Sequence, residues 1–231
     1  ILEAHDDGLT VQFSEAFPYE IRNGILVFTD GKLSQEPQAV AVRGAELTYP
    51  YGGLLEFDAQ KRETAYMARD YWAKCGVTAR DLGQRRVRIT LPKLTATAGN
   101  ILVFGPSHRD CPGIVISDSA GVTVSQVNLY HCGGMGVIAQ RSRDIALDQV
   151  QVTPAPGSGR IVSITADATH FVNCSGKITL SHCLFENQKD DATNIHGIYV
   201  RITRLLAPNE IEVQLVHPQQ AGFDFILPGT T

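Results

Sequence analysis

The sequence predicts an all-β protein, a right-handed parallel β-helix with a β-rich insertion near its N-terminus and a β hairpin or insertion after its candidate site. Three observations carry this. First, three segments share the spacing apolar-x-apolar-x-x-apolar-x-apolar: Val122, Val124, Val127, Leu129; Ile145, Leu147, Val150, Val152; and Ile178, Leu180, Cys183, Phe185. The step from Val122 to Ile145 is shorter than the step from Ile145 to Ile178, the surplus falling in the Pro154–Gly159 loop and the segment after it. Second, a shorter apolar run precedes each, at Ile114–Ile116, Val137–Ile138 and Ile161–Ile164. Strand, turn, strand, bend, strand at a period a little over twenty residues is the signature of stacked coils that bury their apolar faces only against each other. Third, aromatics are only 7% and the apolar positions lean towards Val, Ile and Leu, which favours strands over helical bundles. The Leu/Asn pattern of leucine-rich repeats is missing; a β-sandwich is the alternative that regularly spaced short strands also allow.

Taken in order, residues 1–60 read as short strands between turns, at Leu9–Phe13, Ile25–Phe28, Ala39–Val42 and Leu54–Phe57. Arg22-Asn23-Gly24 and Asp30-Gly31 are hairpin-type turn signals. Lys61–Trp72, KRETAYMARDYW, is the best helical candidate, with good helix formers and no Gly or Pro. Trp72, the only tryptophan, is a packing residue or a platform for a sugar face, and packing is the safer reading. Val87, Ile89 and Leu91 alternate with polar residues as another strand, ended by Pro92. Residues 198–216 hold two alternating strands around Pro208-Asn209, which predicts a hairpin. The expected organisation is therefore a β-rich segment over 1–99 with a short helix near 61–72, coils carrying the site over 100–197, and a hairpin or insertion over 198–231. The chain opens directly in strand-like sequence, and its end lacks a clear cap over an open sheet edge. Both features fit a piece of a longer protein, and exposed coil ends favour homo-oligomers.

Composition removes several function classes. Net charge is −4, and no cluster of Lys or Arg exceeds Arg85-Arg86, which argues against a nucleic-acid partner. No apolar run approaches the ~20 residues of a membrane span. The five cysteines at 75, 111, 132, 174 and 183 have neither CxxC nor metal-finger spacing, and they read as free thiols, with Cys132, Cys174 and Cys183 as core residues.

The candidate site is the stretch from Asp167 to Gly197. Asp167, Asp190 and Asp191 lie beside apolar runs, with His170, Asn194 and His196 near them. In stacked coils, equivalent positions lie about 4.8 Å apart. Asp167 and Asp190 stand as far apart in sequence as Val122 and Ile145, the shorter repeat, so the simplest stacking sets Asp167 against the Asp190-Asp191 pair. Two carboxyl groups in one cleft can divide hydrolysis, one protonating the leaving group and one activating water. Three so close cannot all ionise freely, so at least one should hold its proton more tightly. His170 and His196 would bond sugar hydroxyls or tune the acids. A turn is the plainer reading of Asp-Asp, and Ca²⁺ binding is the rival use of clustered Asp; the histidines, poor Ca²⁺ ligands, speak against metal.

Asp167-Ala-Thr-His170, then Cys183-Leu-Phe-Glu186-Asn187-Gln188, then Asp190-Asp191-Ala-x-Asn194-Ile-His196-Gly197 resemble the bacterial α-1,3-galactosidases of glycoside hydrolase family 110. Gly52-Gly53-Leu54-Leu55-Glu56-Phe57-Asp58 and the segment through Trp72 resemble that family too. The resemblance implies a pectin-lyase-like parallel β-helix acting with inversion and without a cofactor or metal. It implies removal of terminal α-1,3-linked galactose, including that of the blood-group B antigen, from an oligosaccharide or glycoconjugate. Carried over by motif, Asp167, Asp190 and Asp191 are the catalytic acids, and His170, Asn194 and His196 bind substrate. It also implies a longer protein that is secreted, periplasmic or on the bacterial cell surface. By analogy with polygalacturonases, one member of the Asp pair donates the proton, while the other and the isolated Asp hold the water. Two other readings stand beside it: a non-catalytic carbohydrate-binding β-helix, and a polygalacturonase- or lyase-like enzyme on uronic acids. An anionic substrate would want a basic pair in the cleft. Arg160, Lys189 and Arg201 are the candidates near the cluster, and they form no clear pair.

Overall fold

The structure, a computed structural model, describes residues 1–29, 41–43, 46–48, 52–73, 76–105, 109–217, 220 and 224. These residues are all-β, with no α-helix among them. The Asp30-Gly31 turn and Cys75 lie outside the described residues.

Antiparallel strands fill the first hundred residues. One sheet runs Glu3–His5, Gly8–Gln12, Arg86–Thr90, Thr78–Gly83, Ile25–Phe28, Tyr19–Arg22 in spatial order. Alternation decides its faces: Leu9, Val11, Val87 and Ile89 turn inwards with Leu26, Leu54 and Val77. The Arg22-Asn23-Gly24 signal closes a two-residue hairpin, with Arg22 paired to Ile25. Asn23 and Gly24 have φ of 51° and 78°, the left-handed pair that a twisted hairpin needs. A second sheet is built on Gly53–Asp58, which pairs with Ile101–Gly105, Glu63–Thr64 and Tyr71–Trp72.

That second sheet overturns the expected helix at 61–72. The Asp58 carboxylate accepts from the amides of Gln60 and Lys61 at 2.9 Å each, closing a turn. Arg62 and Met67 take φ of 59° and 60°, which no α-helix tolerates. Good helix formers lose here because both ends of the segment pair with one strand, and its modest apolar face offers a helix little to bury.

From Ile114 the pairing turns parallel, in three sheets. The first stacks Ile114–Ser117, Val137–Gln140, Thr169–Val172 and Thr193–His196; the second Ala120–Ser125, Arg143–Asp148 and Ser175–Ser181; the third Asn128–Leu129, Gln151–Val152 and Leu184–Phe185. The repeat alignment is the register itself: Val122 pairs Ile145 and Ile145 pairs Ile178, while Leu129 pairs Val152 and Val152 pairs Phe185. Apolar positions therefore superpose, and Val137, Ala139, Ile145, Leu147, Val150 and Phe171 form a shared buried core. Corners repeat as well. Asp118, Arg141 and Asn173 end the first-sheet strands at φ of 49°, 46° and 52°, and Gln126, Gln149 and His182 end the second-sheet strands at 57°, 55° and 53°. One left-handed residue per corner turns the chain sharply without lengthening it. Arg141 ties two such corners by donating to both oxygens of Asp118, at 2.7 Å each.

One expected strand lies elsewhere. Ile161–Ile164 is not the first-sheet strand of its coil; that strand is Thr169–Val172. Ile164 is instead buried against Val152 and Ala168, with Leu129 and Phe185 packed on the same cluster. The hairpin after the site is present, with Val200–Ala207 paired antiparallel to Glu210–Leu215 across Pro208-Asn209. Cys132, Cys174 and Cys183 are free and half-buried, and Cys111 is free but exposed.

Candidate active site

The first parallel sheet assembles the site. Thr169 pairs Thr193, His170 pairs Asn194 and Val172 pairs His196. Just ahead of these strands the Ala168 amide donates to the Asp191 carbonyl at 2.9 Å. Continuing the register, Asp167 stands level with Asp191, the position next to the Asp190 that the shorter repeat implies.

Asp167 is buried, at 2% exposure. Its Oδ2 lies 2.6 Å from His170 Nδ1, and Arg109 approaches its Oδ1 at 3.8 Å. The same guanidinium donates to Asp190 Oδ2 at 2.5 Å. Asp190 is half-buried and Asp191 exposed; Asp191 Oδ2 accepts from Asn194 Nδ2 at 3.2 Å. The two histidines meet edge to face, Nε2 to Nε2 at 3.0 Å, and His196 Nδ1 lies 2.8 Å from the Gly197 carbonyl. A carbonyl only accepts, so His196 donates to it. Asp167, His170 and His196 thus form a hydrogen-bonded relay. Among the described residues no three His, Cys, Asp or Glu side chains are grouped as a metal ion needs.

Residues 1–102 match the family model described as GLAA-B beta-barrel domain I. Alpha-1,3-galactosidase A of Shewanella woodyi is 36% identical over 226 residues, covering 95% of this chain and 34% of that protein. Alpha-1,3-galactosidase A of Bacteroides fragilis is 31% identical over 154 residues, 66% of this chain and 26% of that protein. Alpha-1,3-galactosidase B of Akkermansia muciniphila is 30% identical over 217 residues, 93% of this chain and 25% of that protein. This chain is homologous to the alpha-1,3-galactosidases. It spans a quarter to a third of the length of these relatives, and the family resemblance read from its motifs stands.

In this galactosidase relative all six site residues named from the sequence come together. The basic groups beside them do not follow the sequence reading. Arg109 enters the site from the stretch before the first coil, far from the cluster along the chain, and nothing in local sequence marks it. Of the three cations read near the acids, Lys189 alone belongs there. Arg160 bonds His131 Nδ1 at 2.8 Å and lines a separate cavity of about 830 Å³ with Arg62, Glu186 and Phe185. Arg201 is exposed on the hairpin.

Lys189 also joins the two halves of the chain. It donates to the Gly53 carbonyl at 3.3 Å, over a spot where Gly53 and Gly105 are cross-strand partners. Burial pulls its ammonium below the usual lysine range, with Asp70 opposing and Arg109 adding to the shift. The Asp70 carboxyl is pushed above the usual carboxylate range, by desolvation first, with the Asp190 charge adding and Lys189 and Arg109 opposing. A Cβ at Gly105 would overlap the Lys189 ammonium. Gly105→Ala is therefore expected to displace that flexible end, break the Gly53 bond and cost about 1–3 kcal/mol, read as a lower urea midpoint.

Proposed function

We propose that this chain is the site-bearing part of an exo-acting glycoside hydrolase that removes terminal α-1,3-linked galactose with inversion. The observation that carries the reading is the pair of reachable carboxyl groups, Asp190 and Asp191, set beside buried Asp167, which shares the Arg109 guanidinium with Asp190. In this reading Asp190 and Asp191 divide the acid and base work. Asp167, out of substrate's reach, holds Arg109 and His170 in place. Asn194 presents its second amide hydrogen to a sugar hydroxyl, while His196, bonded at both ring nitrogens, orients His170. The names of the relatives support galactose as the sugar. Arg109 supports a neutral substrate, because its charge is already engaged by two carboxylates and is not free for an anionic sugar.

The three in-register parallel sheets support a right-handed parallel β-helix, with residues 1–99 as its β-rich insertion, 100–197 as coils and 198–231 as a hairpin leading onward. A secreted, periplasmic or cell-surface location and self-association belong to the same reading. The test is to incubate the full-length protein with an α-1,3-galactosyl disaccharide and follow the released sugar by NMR. β-Galactose appearing first is the expected result. α-Galactose first would mean retention and overturn the mechanism, and binding without release would make the site a lectin.

A further inference from the structure

We propose that Trp72 is a stacking platform for the sugar on the leaving-group side of the scissile bond. This rests on the hydrolase reading above and deepens it.

The sequence favoured Trp72 as packing, yet the residue is 52% exposed. Its indole N–H makes no hydrogen bond among the described residues. Backbone pairing fixes its place: Trp72 is the cross-strand partner of Gly53. A Cβ at Gly53 would stand 3.4 and 3.5 Å from two atoms of the indole six-membered ring and 3.7 Å from Lys189 Nζ. The bare glycine therefore lets ring and ammonium close on one point of backbone. Lys189 precedes Asp190 in the chain, and Asp70, just before Trp72, feels the charges of Lys189, Asp190 and Arg109. The ring and the Lys189 ammonium thus converge on Gly53, and the chain leads from Lys189 directly into Asp190. Tyr66 and Met67, at 93% and 75% exposure, continue an exposed surface along the same connection.

The chemistry of the patch selects its ligand. An exposed indole offers an apolar face and a free polar edge, which suits a pyranose, with C–H bonds on one face and hydroxyls at its rim. Asp70, Asp167, Asp190 and Asp191 outnumber Arg109 and Lys189, which disfavours a phosphate or nucleic-acid occupant. If terminal galactose meets Asp190 and Asp191, the next sugar is the one displaced towards Trp72.

The experiment compares wild-type, Trp72→Ala and Trp72→Phe forms of the full-length protein on two substrates. One is an α-1,3-galactosyl disaccharide; the other is α-galactosyl fluoride, whose leaving group is too small to reach the ring. Trp72→Ala is expected to lose about tenfold in kcat/KM on the disaccharide, mainly through KM, with Trp72→Phe recovering most of it. The fluoride should be cleaved by all three at rates within about twofold of each other. Equal losses on both substrates, no loss on either, or an Ala variant that melts earlier or changes oligomeric state would overturn the platform. If the wild type cleaves neither substrate, the hydrolase reading fails separately. Calorimetry then decides the platform: Trp72→Ala must weaken disaccharide binding about tenfold and leave galactose binding unchanged, and any other pattern rejects it.

Discussion

Asp190→Asn and Asp191→Asn, each made in the full-length protein, are expected to lower kcat/KM on an α-1,3-galactosyl disaccharide by about 10²–10⁴. An amide keeps the shape of the carboxyl group but neither gives nor takes the proton. The two losses should differ in kind. Asp190 is fixed by Arg109 at 2.5 Å, so its replacement also frees a guanidinium to turn fully onto Asp167. Among the described residues the Asp191 carboxylate is held by Asn194 alone, at 3.2 Å, and Asp191 is exposed, so its replacement should change activity with little structural effect. Thermal melts within a few degrees of wild type are expected for Asp191→Asn. A variant keeping more than about a tenth of wild-type activity would remove that residue from the acid–base pair.

Phe171→Ala is expected to cost about 3–5 kcal/mol in stability, the largest effect of any single truncation in the parallel sheets. Phe171 is fully buried, among the largest enclosed side chains of the chain. It packs with Val137, Ala139, Ile145 and Leu147 at the centre of the stacked coils. Strand alternation places His170 on the opposite face, so the core ring and the relay histidine are set by one strand. A cavity left by the ring would loosen that strand, and the His170–His196 contact with it. Urea unfolding should show the loss, and the imidazole NMR signals of the relay should broaden or shift. A midpoint unchanged from wild type would mean the core has collapsed onto the cavity, and the coupling between core and site would be wrong.

The parallel sheets were legible because stacking repeats a local pattern: Val124, Leu147 and Leu180 fall in register by the same spacing that marks them as apolar. The same logic found Asp167 and the Asp pair, since residues ahead of equivalent strands must be neighbours. Within the pair the level position is Asp191, because the step from Thr169 to Thr193 is slightly longer than the step from Val122 to Ile145. Ile161–Ile164 misled because an apolar run looks alike whether it forms a strand or packs into a cluster. The helix at 61–72 failed because propensity is local, whereas Glu63–Thr64 and Tyr71–Trp72 answer to the distant strand Gly53–Asp58. Arg109 was invisible for the same reason. A lone arginine carries no periodicity, and only the assembled coil shows which carboxylates it joins.

The second parallel sheet shows how extra chain can be accommodated without disturbing pairing. The chain takes a much longer path from Ile145 to Ile178 than from Val122 to Ile145, yet Val152 still meets Phe185 and Leu147 still meets Leu180. The added length leaves the ladder as a loop at a corner and returns without shifting a rung. Length can therefore be added at that corner while Thr169–Val172 and Thr193–His196, which follow the acids, keep their pairing.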